Sequence, residues 1–252
     1  MLLAINIGNT NINMGLFVNK NLVSCLQIRT QKTPTDNYYR TILKNLSPFK
    51  NIEAVAICSA VASLTKPFQK LLKKHLKLKS IIIKEDLNLG IRLNYKKKNL
   101  GADRIANAVA ANYLYKKGCI VIDLGTAITF DIISAKGVYL GGAIAPGIGI
   151  SSKALFSNTN LPNIKNLNDT KFAIGKNTNE NLQMGILHGF ASMIEGMLNK
   201  FKKKLNFKPL IILTGGDAKK ISKMINFAHI INPFITLEGI KIIYERNYKT
   251  SK

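Results

Sequence analysis

The chain has 252 residues, 46% of them hydrophobic, and 37 basic against 13 acidic side chains give it a formal charge of +24. That length and apolar content allow one large domain or two small ones with sizeable cores. No apolar run reaches the length of a membrane span, and the start Met1-Leu2-Leu3-Ala4-Ile5 lacks the basic region of a signal peptide, so the cytoplasm is the expected location and no membrane is expected as a partner. In chain order, apolar alternation predicts strands over Leu2 to Ile7, Ile12 to Phe17 and Leu22 to Arg29, joined as an antiparallel meander by Asn- and Gly-containing turns. A helix beginning after Thr35 or Asp36 follows, then a buried strand Ala54 to Ser59, a helix Leu64 to Leu76 and a strand Ser80 to Lys84. Gly101 to Arg104 opens a helix whose small apolar face holds Ile105, Ala108, Val109 and Asn112.

From Gly118 the order restarts with strands Cys119 to Asp123, Ala127 to Ser134 and Gly137 to Ile144, and Pro146-Gly147 precedes another helix. A long helical segment from Asn179 to Leu205 carries Met184, Leu187, His188, Ala191, Ile194, Glu195 and Leu198 at helical spacing. Strand Leu210 to Leu213 runs into Thr214-Gly215-Gly216-Asp217, and a helix, a short strand near His229 to Ile231 and a last helix from Thr236 complete the chain. The repeated order predicts two domains, 1–116 and 117–252.

Cys25, Cys58 and Cys119 are far apart, sit in apolar strand-like surroundings and are expected to be three buried thiols. His75, His188 and His229 are isolated, so neither a zinc site nor a Cys-His nucleophile has a visible basis. The positive charge comes in lysine runs such as Lys96-Lys97-Lys98 and Lys202-Lys203-Lys204 among abundant Asn and Ile, a mixture that drift in an AT-rich genome also produces. No RNA-recognition or helix-turn-helix signature accompanies it, so nucleic acid is set aside as a partner. A basic surface still attracts ATP and other anions.

Two strands end in glycine-threonine loops, Asn6-Ile7-Gly8-Asn9-Thr10 and Asp123-Leu124-Gly125-Thr126-Ala127. Glycine lets backbone amides approach an anion, threonine adds a hydroxyl, and a carboxylate at the strand end positions a metal ion or its water shell. Only the second loop has that carboxylate. None of the glycine-rich segments has P-loop spacing or a G-x-G-x-x-G fingerprint, which excludes a Walker ATPase and a Rossmann dehydrogenase. Paired loops and a later Thr-Gly-Gly turn suited to adenine and ribose describe a nucleotide held in a cleft between two lobes. Asp103 in Gly101-Ala102-Asp103-Arg104 reads equally as a helix cap or as a general base for an acceptor alcohol, with Arg104 beside it to hold an anion.

Together these segments resemble the type III pantothenate kinases of the acetate and sugar kinase/Hsp70/actin superfamily. The resemblance spans nearly the whole chain: Asn6 to Asn11, Ile57 to Thr65, Gly101 to Arg104, Asp123 to Ala127, Gly141 to Gly147 and Gly175 to Thr178. It implies two ribonuclease H-like (actin-like ATPase) domains of α/β class, each a mixed sheet flanked by helices. It also implies ATP-dependent phosphorylation of pantothenate to 4'-phosphopantothenate, the first step of coenzyme A biosynthesis.

By the same resemblance Asp103 is the base, and Tyr95, Gly101, Ala102, Asp103, Arg104 and Thr178 bind pantothenate. Asn6, Ile7, Gly8, Asn9, Thr10, Asn11, Ile12, Asn13 and Thr126 contact ATP, which enters with Mg2+, and Asp123 holds a monovalent cation, potassium or ammonium. A homodimer is the implied assembly. Two departures stand out: the family's first-loop aspartate is here Asn6, and Tyr95 to Leu100 lacks the usual Asn-Pro approach to Gly101. A catalytically impaired homologue acting as a nucleotide-binding or regulatory accessory factor, and a kinase of another small alcohol, are the alternatives.

Overall fold

The structure is a computed structural model that describes residues 1–49, 51–95, 100–164 and 174–248. The lysine run Lys96–Lys98 lies outside the described residues. The chain divides into two compact units: unit 1 is Met1–Tyr115, Gly137–Tyr139 and Phe234–Lys252, and unit 2 is Lys116–Lys136 and Leu140–Pro233. This division departs from a single cut at 116/117, because the last helix groups with unit 1 and not with the residues before it.

In unit 1, β1 (Leu2–Ile7), β2 (Asn11–Val18), β3 (Asn21–Arg29), β4 (Ala54–Ser59) and β5 (Ser80–Ile82) form a sheet in the order β3-β2-β1-β4-β5. The pairs β1–β2 and β2–β3 are antiparallel, and β1–β4 and β4–β5 are parallel. Alternation decides the two faces. Leu3, Ile5 and Ile7 of β1 and Val55 and Ile57 of β4 join a core with Tyr38, Ile42 and Leu46 of α1 (Asp36–Leu46) and Leu64, Phe68 and Leu72 of α2 (Ala62–Leu76). Residues of the other parity, Ala4, Asn6, Ala56 and Cys58, therefore project from the opposite face.

That second face packs against α3 (Ala102–Tyr115) and the last helix, α8 (Ile235–Tyr248). The two helices meet closely: Gly239 lies against the Ala106 backbone, and the Thr236 hydroxyl donates to Asn107 Oδ1 at 2.7 Å. Two-residue β6 (Arg92–Leu93), which local pattern does not reveal, pairs in parallel with Val138–Tyr139 within the same unit.

Unit 2 repeats the plan. β7 (Cys119–Leu124), β8 (Ala127–Ile133), β9 (Val138–Pro146), β10 (Leu210–Thr214) and β11 (Ile230–Ile231) lie in the order β9-β8-β7-β10-β11, with β7–β8 antiparallel and β7–β10 and β10–β11 parallel. Ile120, Ile122 and Leu124 face a core with Phe130, Ile194, Leu198 and Ile221, while Asp123, Thr129 and Asp131 belong to the opposite face. The helices of this unit are α4 (Ile148–Ser157), α5 (Thr178–Gln183), α6 (Gly189–Lys202) and α7 (Ala218–Ile221).

The long helix expected over Asn179 to Leu205 is interrupted by a π-helical turn at Met184–His188. Buried Leu182 and Leu187 are five residues apart, one more than a regular helical repeat, and the wide turn absorbs the extra residue so that both reach the core. Cys58 and Cys119 are buried as expected, whereas Cys25 is exposed, because it falls on the solvent side of the outer strand β3.

Candidate active site

Within unit 1 the first glycine-threonine loop is a tight reversal between β1 and β2. The Gly8 amide donates to the Asn11 carbonyl at 3.0 Å, and a Cβ on Gly8 would stand 2.9 Å from that oxygen. Thr30, just past β3, braces the loop from outside: its hydroxyl donates to the Gly8 carbonyl at 2.7 Å and its amide to the Thr10 carbonyl at 2.8 Å. Asn13 Oδ1 accepts from Gln27 at 2.8 Å, which ties the far end of the loop to β3. Asn6, one residue before the loop's end of β1, has a buried Oδ1 with no hydrogen-bond partner among the described residues. A buried acceptor left unsatisfied costs about 1–3 kcal/mol, so this oxygen is primed for a donor that arrives with ligand.

Asn6 stands beside Cys58 in the parallel β1–β4 pair. Burial, and then the charge of Asp103, push the Cys58 thiol well above its ordinary value. Asn6 and Asp103 therefore both neighbour Cys58, on the face covered by α3. Asp103 lies in the first turn of α3, and its Oδ1 accepts from the Arg104 amide at 2.8 Å. The cap reading is thus realised with one oxygen, while Oδ2 is left to meet another donor. Arg104 is buried at 7% exposure.

A cavity of about 1230 Å³ lies in the same unit, with Gly101, Ala102, Leu100, Tyr95 and Arg92 on its wall together with Ser59 and Glu85. Tyr95 packs edge-on against Tyr139, with ring centroids 6.1 Å apart. The structure thus gathers the expected acceptor residues Tyr95, Gly101 and Ala102 around one space, and Asp103 follows directly on their element.

Within unit 2 the second loop has the matching reversal, with the Gly125 amide donating to the Ala127 carbonyl at 3.2 Å. Three segments converge on it. The Gly147 amide donates to the Thr126 carbonyl at 3.0 Å, and the Asp217 amide to the Leu124 carbonyl at 3.1 Å. Gly215, at φ +90°, lies so close that a Cβ there would stand 2.5 Å from Asp123 Oδ1 and from the Leu124 carbonyl carbon. Only glycine combines that backbone angle with that approach. Thr178 opens α5, a different element, where Asn177 Oδ1 accepts from the Glu180 amide at 3.1 Å and Glu180 Oε2 from the Lys176 amide at 2.7 Å.

Burial raises the Asp217 carboxyl above its usual value, with Lys220 opposing the shift, and burial lifts the Cys119 thiol to about 12. Asp131, 1% exposed, accepts from the Thr129 hydroxyl at 3.3 Å on the same face as Asp123. Sequence reasoning passed over Asp131, although a charge in the buried half of an alternating strand signals it. It also passed over Thr30, for which no local pattern gives warning.

Comparison with known proteins decides what these loops belong to. The family described as type III pantothenate kinase matches residues 2–200. A type III pantothenate kinase of Moorella thermoacetica is 39% identical over 98% of this chain and 100% of its own length, and one of Desulfatibacillum aliphaticivorans is 38% identical over 98% of each. The chain belongs to the type III pantothenate kinase family. Solved structures extend the likeness at the level of fold: a Baf family transcriptional activator from Campylobacter jejuni (24% identity, TM-score 0.64, 98% of this chain and 100% of that one). An activator of the 2-hydroxyisocaproyl-CoA dehydratase from Clostridium difficile is similar over 100% and 98% (11% identity, TM-score 0.62). The two mixed sheets are accordingly those of RNase H-like, actin-like ATPase domains.

Oxygen donors suit the cations that such a kinase uses. Asp123 supplies a carboxylate beside two glycine backbones, and Thr126 a hydroxyl. No group of three or more His, Cys, Asp or Glu able to hold a metal exists among the described residues, a pattern that fits a hard cation bound through one carboxylate, water and phosphate oxygens.

Proposed function

We propose that Asp103 is the general base of an ATP-dependent pantothenate kinase, the activity that family membership gives this chain. As the terminal hydroxyl of pantothenate attacks the γ-phosphorus of ATP, Asp103 takes its proton, the bond from phosphorus to the β–γ bridging oxygen breaks, and ADP departs. The bond from Asp103 Oδ1 to the Arg104 amide fixes the carboxylate's orientation and leaves Oδ2 facing the incoming alcohol. The observation that carries this reading is the placing of Asp103 on the element whose first residues, Gly101 and Ala102, line the unit 1 cavity.

Tyr95, Gly101, Ala102, Arg104 and Thr178 bind pantothenate in this reading, with Arg104 matching its carboxylate. Asn6, Ile7, Gly8, Asn9, Thr10, Asn11, Ile12, Asn13 and Thr126 bind ATP, the glycine-threonine loops offering backbone amides to phosphate. Asp123 holds potassium or ammonium, and Mg2+ enters with ATP; these cations neutralise charge on the phosphates. The expected assembly is a homodimer in the cytoplasm, and no helix among the described residues is long and apolar enough to cross a membrane.

A coupled assay of ADP release with ATP, Mg2+ and pantothenate tests the reading. Turnover is expected to depend on potassium or ammonium, and Asp103→Asn is expected to lower kcat by about 10²–10⁴-fold with the fold intact by circular dichroism. An Asp103→Asn enzyme as active as the wild type removes Asp103 from the chemistry.

A further inference from the structure

Glu85 enters neither the reaction nor the residues assigned above, yet it holds the chain directly before the acceptor motif. Its Oε1 accepts from the Leu100 amide at 2.6 Å, a short bond of the charge-assisted kind. Leu100 is the residue before Gly101, its side chain is buried at 6% exposure, and α3 begins two residues later with the Ile105 amide donating to the Gly101 carbonyl at 3.0 Å. Glu85, Leu100, Gly101 and Ala102 line the same cavity.

Glu85 is itself a fixed post. On its N-terminal side the Ile83 amide donates to the Ile57 carbonyl at 2.8 Å, continuing β5 along β4. On its C-terminal side Asn247 of α8 clasps the Asn88 backbone, accepting from its amide at 2.9 Å and donating to its carbonyl at 3.1 Å. These anchors do not involve Leu100, so removing the carboxylate leaves the post in place and frees only the tethered loop. Nothing else in the first turn of α3 reaches back to hold the Leu100 amide, because Asp103 is occupied with Arg104.

We infer that Glu85 is a positioning residue for the acceptor alcohol: by holding the Leu100 amide it fixes where Gly101 and Ala102 present their backbone to pantothenate and where Asp103 follows. This rests on the assignment of Gly101–Arg104 to pantothenate. Misplacing a positioned group by about 1 Å costs on the order of 10²-fold, and freeing one end of a short loop is expected to cost about tenfold. The loss belongs to the acceptor and not to ATP, whose phosphate loop at Gly8 is braced separately by Thr30. Glutamine keeps the acceptor oxygen that the Leu100 amide needs, whereas alanine does not.

Steady-state kinetics of the full-length chain and its Glu85→Ala and Glu85→Gln variants, with amide hydrogen exchange over 100–105, test this. The expected result is a KM for pantothenate raised about tenfold in Glu85→Ala, a KM for ATP within twofold of wild type, faster exchange at Leu100, and near-wild-type behaviour of Glu85→Gln on all three. Equal rises in both KM values, unchanged exchange at Leu100 in Glu85→Ala, or a glutamine variant as impaired as the alanine variant overturns it. If the wild type converts no pantothenate, the functional reading has failed, and the exchange at Leu100 decides by itself whether Glu85 holds the loop.

Discussion

The two glycine-threonine loops occupy the same place in two sheets of the same order, and they differ in one charge. Asn6 and Asp123 are each the fifth residue of a six-residue strand, each paired with an antiparallel neighbour on one side and a parallel one on the other. Around Asn6 the parallel partner is Cys58, an uncharged thiol, and the amide oxygen is left without a donor. Around Asp123 the parallel partner is Thr214, and the turn after it brings the Gly215 backbone against the carboxylate. One topology thus yields a neutral loop with an unsatisfied acceptor and a charged loop packed to the limit of what a backbone allows. The fold sets where a strand-end side chain points, and the side chain and the next strand's turn decide what it can hold.

The strongest way to break this contrast is to neutralise the charged loop. Asp123→Asn is expected to lower kcat/KM for ATP on the order of 100-fold and to flatten the response to potassium, as read in the coupled assay. Next in size is the difference in backbone tolerance. Gly215→Ala forces a Cβ into a left-handed backbone against Asp123 and Leu124, which is expected to destabilise by about 3 kcal/mol in urea unfolding. Gly8→Ala, where the Cβ meets only the Asn11 carbonyl at 2.9 Å, is expected to cost about 1 kcal/mol; equal losses at both positions erase the contrast.

Charging the neutral loop sharpens it from the other side. Asn6→Asp places a carboxylate where the family has one and is expected to lower the Mg2+ concentration for half-maximal turnover by about tenfold. The smallest effect concerns Asp217, whose amide ties the Thr-Gly-Gly turn to β7. Burial raises its folded-state value above the unfolded one, so the folded protein binds more protons in that window and loses stability as pH rises through it. At neutral pH the buried carboxylate is therefore a net cost. Asp217→Asn is expected to raise Tm slightly at pH 7 and to leave it unchanged at a pH below both values, where the native aspartate is already uncharged.

Much of this was legible from residues in order. The run Leu2 to Ile7 and the run Cys119 to Asp123 alternate strongly enough to show both strands, and the glycines after them show both reversals. Thr35 caps α1 through its hydroxyl, as its place before Asp36 predicts. What was hidden depends on contacts far apart in sequence. Two-residue β6 exists because Val138–Tyr139 offers it an edge, and nothing within 92–93 encodes that edge. The return of α8 to unit 1 is equally silent, since an apolar helix face does not say which sheet will cover it. Among candidate site residues, Asp103 was visible with both roles open, while Glu85 escaped because its partner is a backbone amide fifteen positions away. The π-helical turn was masked by apolar residues that satisfy ordinary helical spacing on either side of it.

The grouping of α8 with unit 1 bears on how the protein is made. Helix α3, strand β1 and strand β4 all lean on residues 235–248, which are synthesised after the whole of unit 2. During translation the second sheet has all its strands in hand before the first has its closing helix. A nascent first unit must therefore wait, with Ala4, Ala56 and the α3 face uncovered, and a chain stalled before Ile235 is expected to expose that surface to chaperones.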